Sequence, residues 1–141
     1  MATSEKYELI EHTADLGIRI KGKDLKCLFE NAASSLFDII AQSKIKEIPE
    51  KRIFKIKQKA ENLQELFINW LNELISLAFT KSIIFSDFEI KKITENSLEA
   101  TVLALDMGNF ELKKEVKAAT YHDLKLSKTN RGWVAEVIFD V

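Results

Sequence analysis

Leu16, Ile18 and Ile20 alternate with Gly17, Arg19 and Lys21, the two-residue period of a strand with one buried face. A shorter strand at Tyr7–Ile10 precedes it and leads into a loop at His12–Asp15. After Asp24 the period lengthens. Leu25, Leu28, Phe29, Ala32, Leu36 and Ile39 or Ile40 share one stripe of a helix running to about Ala41, with Asp24 as its N-cap. Phe54 and Ile56, set between lysines, predict a strand over Arg52–Lys59. Asn62 caps a second helix with a stripe of Leu63, Leu66, Phe67, Trp70, Leu71, Leu74, Leu77 and Ala78, its polar side carrying Asn69, Asn72, Glu73 and Ser76.

The rest reads as strands. Ile83–Ile93 and Leu98–Leu105 flank a turn at Glu95-Asn96-Ser97, and Met107-Gly108-Asn109 makes a further break. Val116–Leu126 and Trp133–Phe139 flank the turn-forming Thr129-Asn130-Arg131-Gly132. If Val116–Leu126 is one strand, His122 shares a face with Thr120 and Leu124, away from Tyr121 and Asp123. Two helices among six or seven strands, with successive hairpins in the second half, predict an α+β fold. The expected arrangement is two main helices packed on a largely antiparallel, curved sheet. With one proline, four glycines and no linker-like stretch or repeat, residues 1–141 are expected to form a single domain.

Composition narrows the function classes. A net charge of −1 argues against gripping nucleic acid by bulk electrostatics, which needs a basic excess. The basic run Lys44, Lys46, Lys51, Arg52, Lys55, Lys57 and Lys59 reads as a solvated strand face and loop, with contact to an acidic partner or RNA as the functional alternative. A single cysteine, Cys27, forms no disulfide or cysteine-rich zinc site and reads as a buried small hydrophobe of the first helix. No signal peptide is expected in Met1–Lys6, and no apolar run approaches the ~20 residues of a membrane span. The expected location is cytoplasmic. Phosphate-loop, dinucleotide and nucleophile-elbow motifs do not occur.

Candidate chemistry gathers at the two ends of the chain. Asp140 and Val141 follow the last strand, which sets the Asp140 side chain beside the carboxylate of a chain ending at Val141. Two fixed carboxylates make half of a hard-cation site, and Glu11-His12-Thr13-Ala14-Asp15-Leu16-Gly17 supplies a candidate third acid. The alternative is a terminal strand whose acids face water. His12 and His122 both stand beside acids. Each alone reads as a loop-orienting histidine, and their separation lacks the helical spacing of a zinc pair.

The order of these pieces is more specific than any one of them. Glu11-His12-Thr13-Ala14-Asp15-Leu16-Gly17 resembles the opening signature of the archease family. Phe67-Ile68-Asn69-Trp70-Leu71-Asn72-Glu73-Leu74 is similar to its central helix, and Lys117-Ala118-Ala119-Thr120-Tyr121-His122-Asp123-Leu124 to its late strand motif. The run from Gly132-Trp133 to Asp140-Val141 resembles its closing strand, so the likeness spans essentially the whole chain. Within the late motif, Ala119 and Asp123 depart from the family pattern.

The resemblance implies an accessory protein rather than an enzyme. Its partner would be the GTP-dependent RNA ligase that joins a 3′-phosphate or 2′,3′-cyclic phosphate to a 5′-hydroxyl in tRNA splicing. The accessory protein promotes ligase guanylylation and multiple turnover. It also implies a divalent cation held by Asp15, Asp140 and Val141. An oxygen-only ligand set selects calcium, manganese or magnesium over zinc, with calcium the expected ion. His12 and His122 would then orient the carboxylates without binding metal. A general chaperone for nucleic-acid-modifying enzymes is the alternative function, and a small metal-dependent hydrolase using Asp15 and Asp140 ranks last.

Overall fold

Asp24 and Asn62 start the two helices as their sequence contexts predict. Each side chain accepts a hydrogen bond from the backbone N–H three residues on, Cys27 and Glu65 respectively, both at 2.8 Å. The bond from Cys27 N–H holds the Asp24 carboxyl below the usual carboxylate range. The computed structural model describes residues 7–10, 15–45, 47 and 49–141. In chain order these form β1 (Tyr7–Ile10), β2 (Leu16–Gly22), α1 (Leu25–Ile40), β3 (Ala41–Ser43), β4 (Arg52–Lys59) and α2 (Leu63–Lys81). There follow β5 (Ile83–Ile93), β6 (Ser97–Asp106), β7 (Phe110–Leu112), β8 (Ala118–Thr129) and β9 (Gly132–Asp140), with a 3₁₀ turn at Met107–Asn109.

All strand pairs among the described residues are antiparallel. They make a four-stranded sheet in the order β1-β2-β9-β8, a three-stranded sheet β4-β6-β5, and the small pair β3-β7. The α+β expectation of two helices on mostly antiparallel sheet holds, and the strands divide among these three ladders. Helix α1 lies across β5 and β2, while α2 lies against β8, β5 and β4. Among the described residues no helix is long and apolar enough to cross a membrane.

The helices meet in an aromatic core. Phe29 of α1 packs edge-on to Phe67 of α2 with centroids 5.2 Å apart, and Trp70 Nε1 donates to the Phe29 carbonyl at 2.9 Å. Phe37, Phe54, Phe85 and Phe88 extend the cluster into the β4-β6-β5 sheet. Helix α2 buries more than its expected stripe, because Ile68 and Ile75 are covered as well. Ser35, fully buried in α1, satisfies its hydroxyl on the Asn31 carbonyl one turn back at 2.6 Å.

Four sequence expectations change. Strands β3 and β7 were not foreseen, since three-residue strands are too short to show a period. The strand expected at Val116–Leu126 runs instead from Ala118 to Thr129, with Val116 buried just before it. Its alternation also fails. Thr120 pairs with Ile138 and Lys125 with Glu136, so Tyr121–Leu124 bulge out opposite Val137 alone. Asp123 in this bulge has φ 51°, a left-handed conformation that breaks the two-residue period. Cys27 is half-buried, not buried; burial is the main cause pushing its thiol pKa upward, with Asp24 adding to it.

The β8–β9 turn depends on Gly132. Its φ is +128°, and a Cβ there would stand 2.4 Å from the Gly22 carbonyl oxygen and 2.8 Å from Lys23 Cα. Both obstacles are backbone, so they cannot swing aside. Gly132→Ala is therefore expected to cost about 2–5 kcal/mol, combining backbone strain with overpacking. Urea unfolding would show it as a lowered midpoint at unchanged slope; a midpoint equal to wild type would mean that the turn relaxes freely.

Candidate functional site

The site is built by the register between the second strand and the last. Strands β2 and β9 pair from Gly22↔Trp133 to Leu16↔Phe139. Asp15 stands one residue before Leu16 and Asp140 one residue after Phe139. The two aspartates therefore occupy the same end of neighbouring strands, although they lie at opposite ends of the sequence. Strand neighbours sit roughly 4.5–5.5 Å apart between Cα atoms, so the register sets the two aspartates at adjacent places along the sheet end.

Alternation then places the aspartates on the outer face. Asp15 shares parity with Gly17 and Arg19, and Asp140 with Ile138 and Glu136. The inner row of Ile18, Ile20, Ala135, Val137 and Phe139 is fully buried. On the outer face a row of charges crosses all four strands. Arg19 pairs with Glu8 and, at 3.0 Å, with Glu136, whose other oxygen lies 4.0 Å from Lys125. The hydrogen bond to Glu136 is the main reason the Arg19 guanidinium is held still more firmly charged. The next row is apolar. Gly17 leaves space that Ile10 fills, since a Cβ there would come within 2.6 Å of Ile10 Cγ1. Asp15 and Asp140 form the row beyond it.

The end of β9 is held from its other side as well. Asp140 pairs with Ala118, and its carbonyl accepts from Lys117 N–H at 2.8 Å. The Asp140 side chain is exposed, Asp15 is half-buried, and Val141 packs partly against the core. Behind this strand end stands Asn72, which its place on α2 made look like an ordinary solvent-side residue. Its Oδ1 accepts from Ala119 N–H at 2.7 Å and its Nδ2 donates to the Ala119 carbonyl at 3.1 Å. One carboxamide thus acts as a surrogate strand along the open edge of β8, next to the residue paired with Asp140. The only hint in the sequence was an asparagine among good helix formers.

His122 sits in the β8 bulge, exposed, with Nε2 3.5 Å from the Asp123 carboxylate. The face it was expected to share with Thr120 and Leu124 does not exist as a strand face. Thr120 instead donates through its hydroxyl to the Ile138 carbonyl at 2.8 Å. His12 and Glu11 lie outside the described residues. Among the described residues no three His, Cys, Asp or Glu side chains converge as a metal cluster. The residues at this strand end that could hold a metal are the two aspartates and Val141 through its oxygens. That set is all hard oxygen, which fits calcium, manganese or magnesium and does not fit zinc.

The basic run of the middle segment is partly engaged within the protein. Lys51 bonds Asp87 at 2.8 Å, Arg52 lies over the Phe54 ring, and Lys57 approaches Glu99 at 3.8 Å. Strand β4 is an edge, and charged residues along an edge block pairing with other chains.

These features define an α+β protein of two helices on antiparallel sheet with an acid pair at the ends of its second and last strands. The family model of the archease protein family (MTH1598/TM1083) matches residues 7–141. The protein archease of Pyrococcus abyssi is 36% identical, over 97% of this chain and 99% of its own length. That of Methanosarcina barkeri is 34% identical, covering 97% of each. Among solved structures, protein 1598 of Methanobacterium thermoautotrophicum superposes with a TM-score of 0.74 at 31% identity, over 98% of this chain and all of that one. An archease of Thermotoga maritima, described as a possible chaperone, gives a TM-score of 0.62 at 25% identity over 99% of this chain and all of its own. The chain belongs to the archease family.

Proposed function

We propose that this protein is a metal-binding accessory factor that activates the GTP-dependent RNA ligase of tRNA splicing in the cytoplasm. It promotes formation of the ligase–guanylate intermediate and supports repeated turnover, without catalysing a reaction of its own. The observation that carries the reading is the β2–β9 register, which brings Asp15 and Asp140 to one strand end in a member of this family. In this reading Asp15, Asp140 and an oxygen of Val141 hold one divalent cation, calcium foremost and manganese or magnesium otherwise. The cation would neutralise acids that otherwise repel one another at this end of the sheet. His12 and His122 serve to orient the carboxylates. A balanced net charge suits an activator, because the ligase holds the RNA.

The test is ligase guanylylation with GTP at sub-stoichiometric amounts of this protein. Acceleration is expected there, and Asp15→Asn is expected to abolish it while the chain stays folded. Stimulation that needs one copy or more per ligase would favour a general chaperone, a reading in line with the description of the Thermotoga maritima relative as a possible chaperone.

A further inference from the structure

A groove of about 810 Å³ opens between the outer side of α2 and the segment that joins β7 to β8. Its floor is apolar: Ile75, Phe79, Leu112, Val116 and Ala118. Four large hydrophobic residues are substantially exposed among the described residues, and two of them, Phe79 at 40% and Leu112 at 50%, meet in this groove. Its rim is basic, with Lys113, Lys114 and Lys117 against a single acid, Glu115. Among the described residues no carboxylate lies within ion-pair distance of any of these three lysines. Lys51, just before β4, and Lys57 within it differ in this respect, since each already faces an acid.

The wall of the groove is fixed in advance. The backbone N–H groups of Lys113 and Lys114 both donate to the Ile40 carbonyl at the end of α1, at 2.8 and 3.3 Å, and that of Lys117 donates to Asp140. A guest therefore meets a preformed surface and orders little of the host on binding. Addition as an extra strand is blocked at Ala119, where Asn72 already occupies both backbone groups. The lining itself calls for side chains of matching chemistry: large apolar anchors for the floor and carboxylates for the rim. Nucleic acid suits the rim but not the floor, which offers aliphatic side chains and one phenyl ring where single strands need stacking platforms.

We propose that this groove docks an acidic segment of a partner protein that carries one or two large apolar side chains. The proposal deepens the functional reading and rests on it only for the partner's identity, the RNA ligase. Ala118 lines the groove and pairs with Asp140, so the groove ends at the strand partner of one of the two aspartates.

Two binding measurements on the intact chain decide it. One uses the purified ligase. The other uses a short fluorescein-labelled peptide of alternating leucine and glutamate, with a leucine–lysine peptide as its counterpart. Phe79→Asp and Leu112→Asp should each weaken ligase and acidic-peptide binding at least ~tenfold, as expected for the loss of a buried anchor. Lys113→Glu with Lys114→Glu should slow association and flatten its salt dependence. Ile53→Asp, on exposed β4, should bind as wild type does, and circular dichroism melting should show every variant folded. Ligase binding that ignores the groove variants overturns the proposal while the activator reading stands. Groove-dependent peptide binding without ligase binding leaves the groove in place and removes the ligase. Binding of neither probe removes both. Single-stranded RNA bound through Lys113 and Lys114, with ligase affinity untouched, would reassign the groove to nucleic acid.

Discussion

Asp140→Asn is expected to lower the affinity for calcium or manganese by more than tenfold, and Asp15→Asn to do the same. Asparagine keeps nearly the shape of aspartate and removes one negative charge, so the effect reports electrostatics at the cation with little change in packing. Asp140 is exposed, and the contacts that fix its strand run through backbone: its pairing with Ala118 and the hydrogen bond its carbonyl accepts from Lys117. In chelator, both variants should therefore melt close to wild type, and ions should raise the melting temperature of wild type more than theirs. Calorimetric titration checks the affinities. Wild-type binding in both variants would falsify the aspartate assignment. The same titration measures what Val141 adds. In a polypeptide ending at Val141 the terminal carboxylate is available, whereas one further glycine converts it to a neutral carbonyl and carries the charge ~3.3 Å onward. Calcium tolerates little displacement of an oxygen held at ~2.3–2.6 Å. Equal affinity of the two polypeptides would limit Val141 to a carbonyl contribution.

Trp70→Ala is expected to destabilise the fold by about 3–5 kcal/mol, the range for truncating a large buried aromatic side chain. Trp70 is fully buried, packs against Phe88 with centroids 6.5 Å apart, and ties α2 to α1 through its bond to the Phe29 carbonyl. Because both helices and the β4-β6-β5 sheet border the same space, collapse around the missing ring would have to move several elements at once. Trp70→Phe separates the contributions: it restores much of the volume but not the hydrogen bond, and should recover most of the loss, leaving about 1 kcal/mol for the bond. Chemical denaturation gives both numbers. A loss under about 1 kcal/mol for Trp70→Ala would mean that the core fills the cavity at little cost.

Helix ends were legible because their signals are local. Asp24 and Asn62 act on N–H groups three residues away, so a window of a few residues holds the whole interaction. The strands at Arg52–Lys59 and Ile83–Ile93 were also legible, the first from Phe54 and Ile56 set between lysines and the second from isoleucines and phenylalanines ahead of the turn at Glu95-Asn96-Ser97. Pairing of β3 with β7 left no such trace. Two three-residue strands, Ala41–Ser43 and Phe110–Leu112, are joined across about half of the chain, and neither is long enough to display a period. The bulge at Tyr121–Leu124 was hidden for a different reason. Tyr, His and Leu are all compatible with a continuous strand, and only the left-handed Asp123 interrupts it.

The sequence by itself determined the two helices, most strands, the α+β class and the family, because periodicity, capping and motif order are properties of short windows read in succession. It also singled out Asp15 and Asp140 as residues of interest through the motifs that contain them. Tertiary structure decided where those residues stand. The β2–β9 register set both aspartates at one strand end, Asn72 reached Ala119 across 47 positions, and Phe79 came to share a groove with Leu112 and a rim of lysines. Each of these depends on which strand lies next to which, and on the register of that pairing. Long-range burial selects both, since a slip of one residue would turn the inner row of Ile18, Val137 and Phe139 out to water.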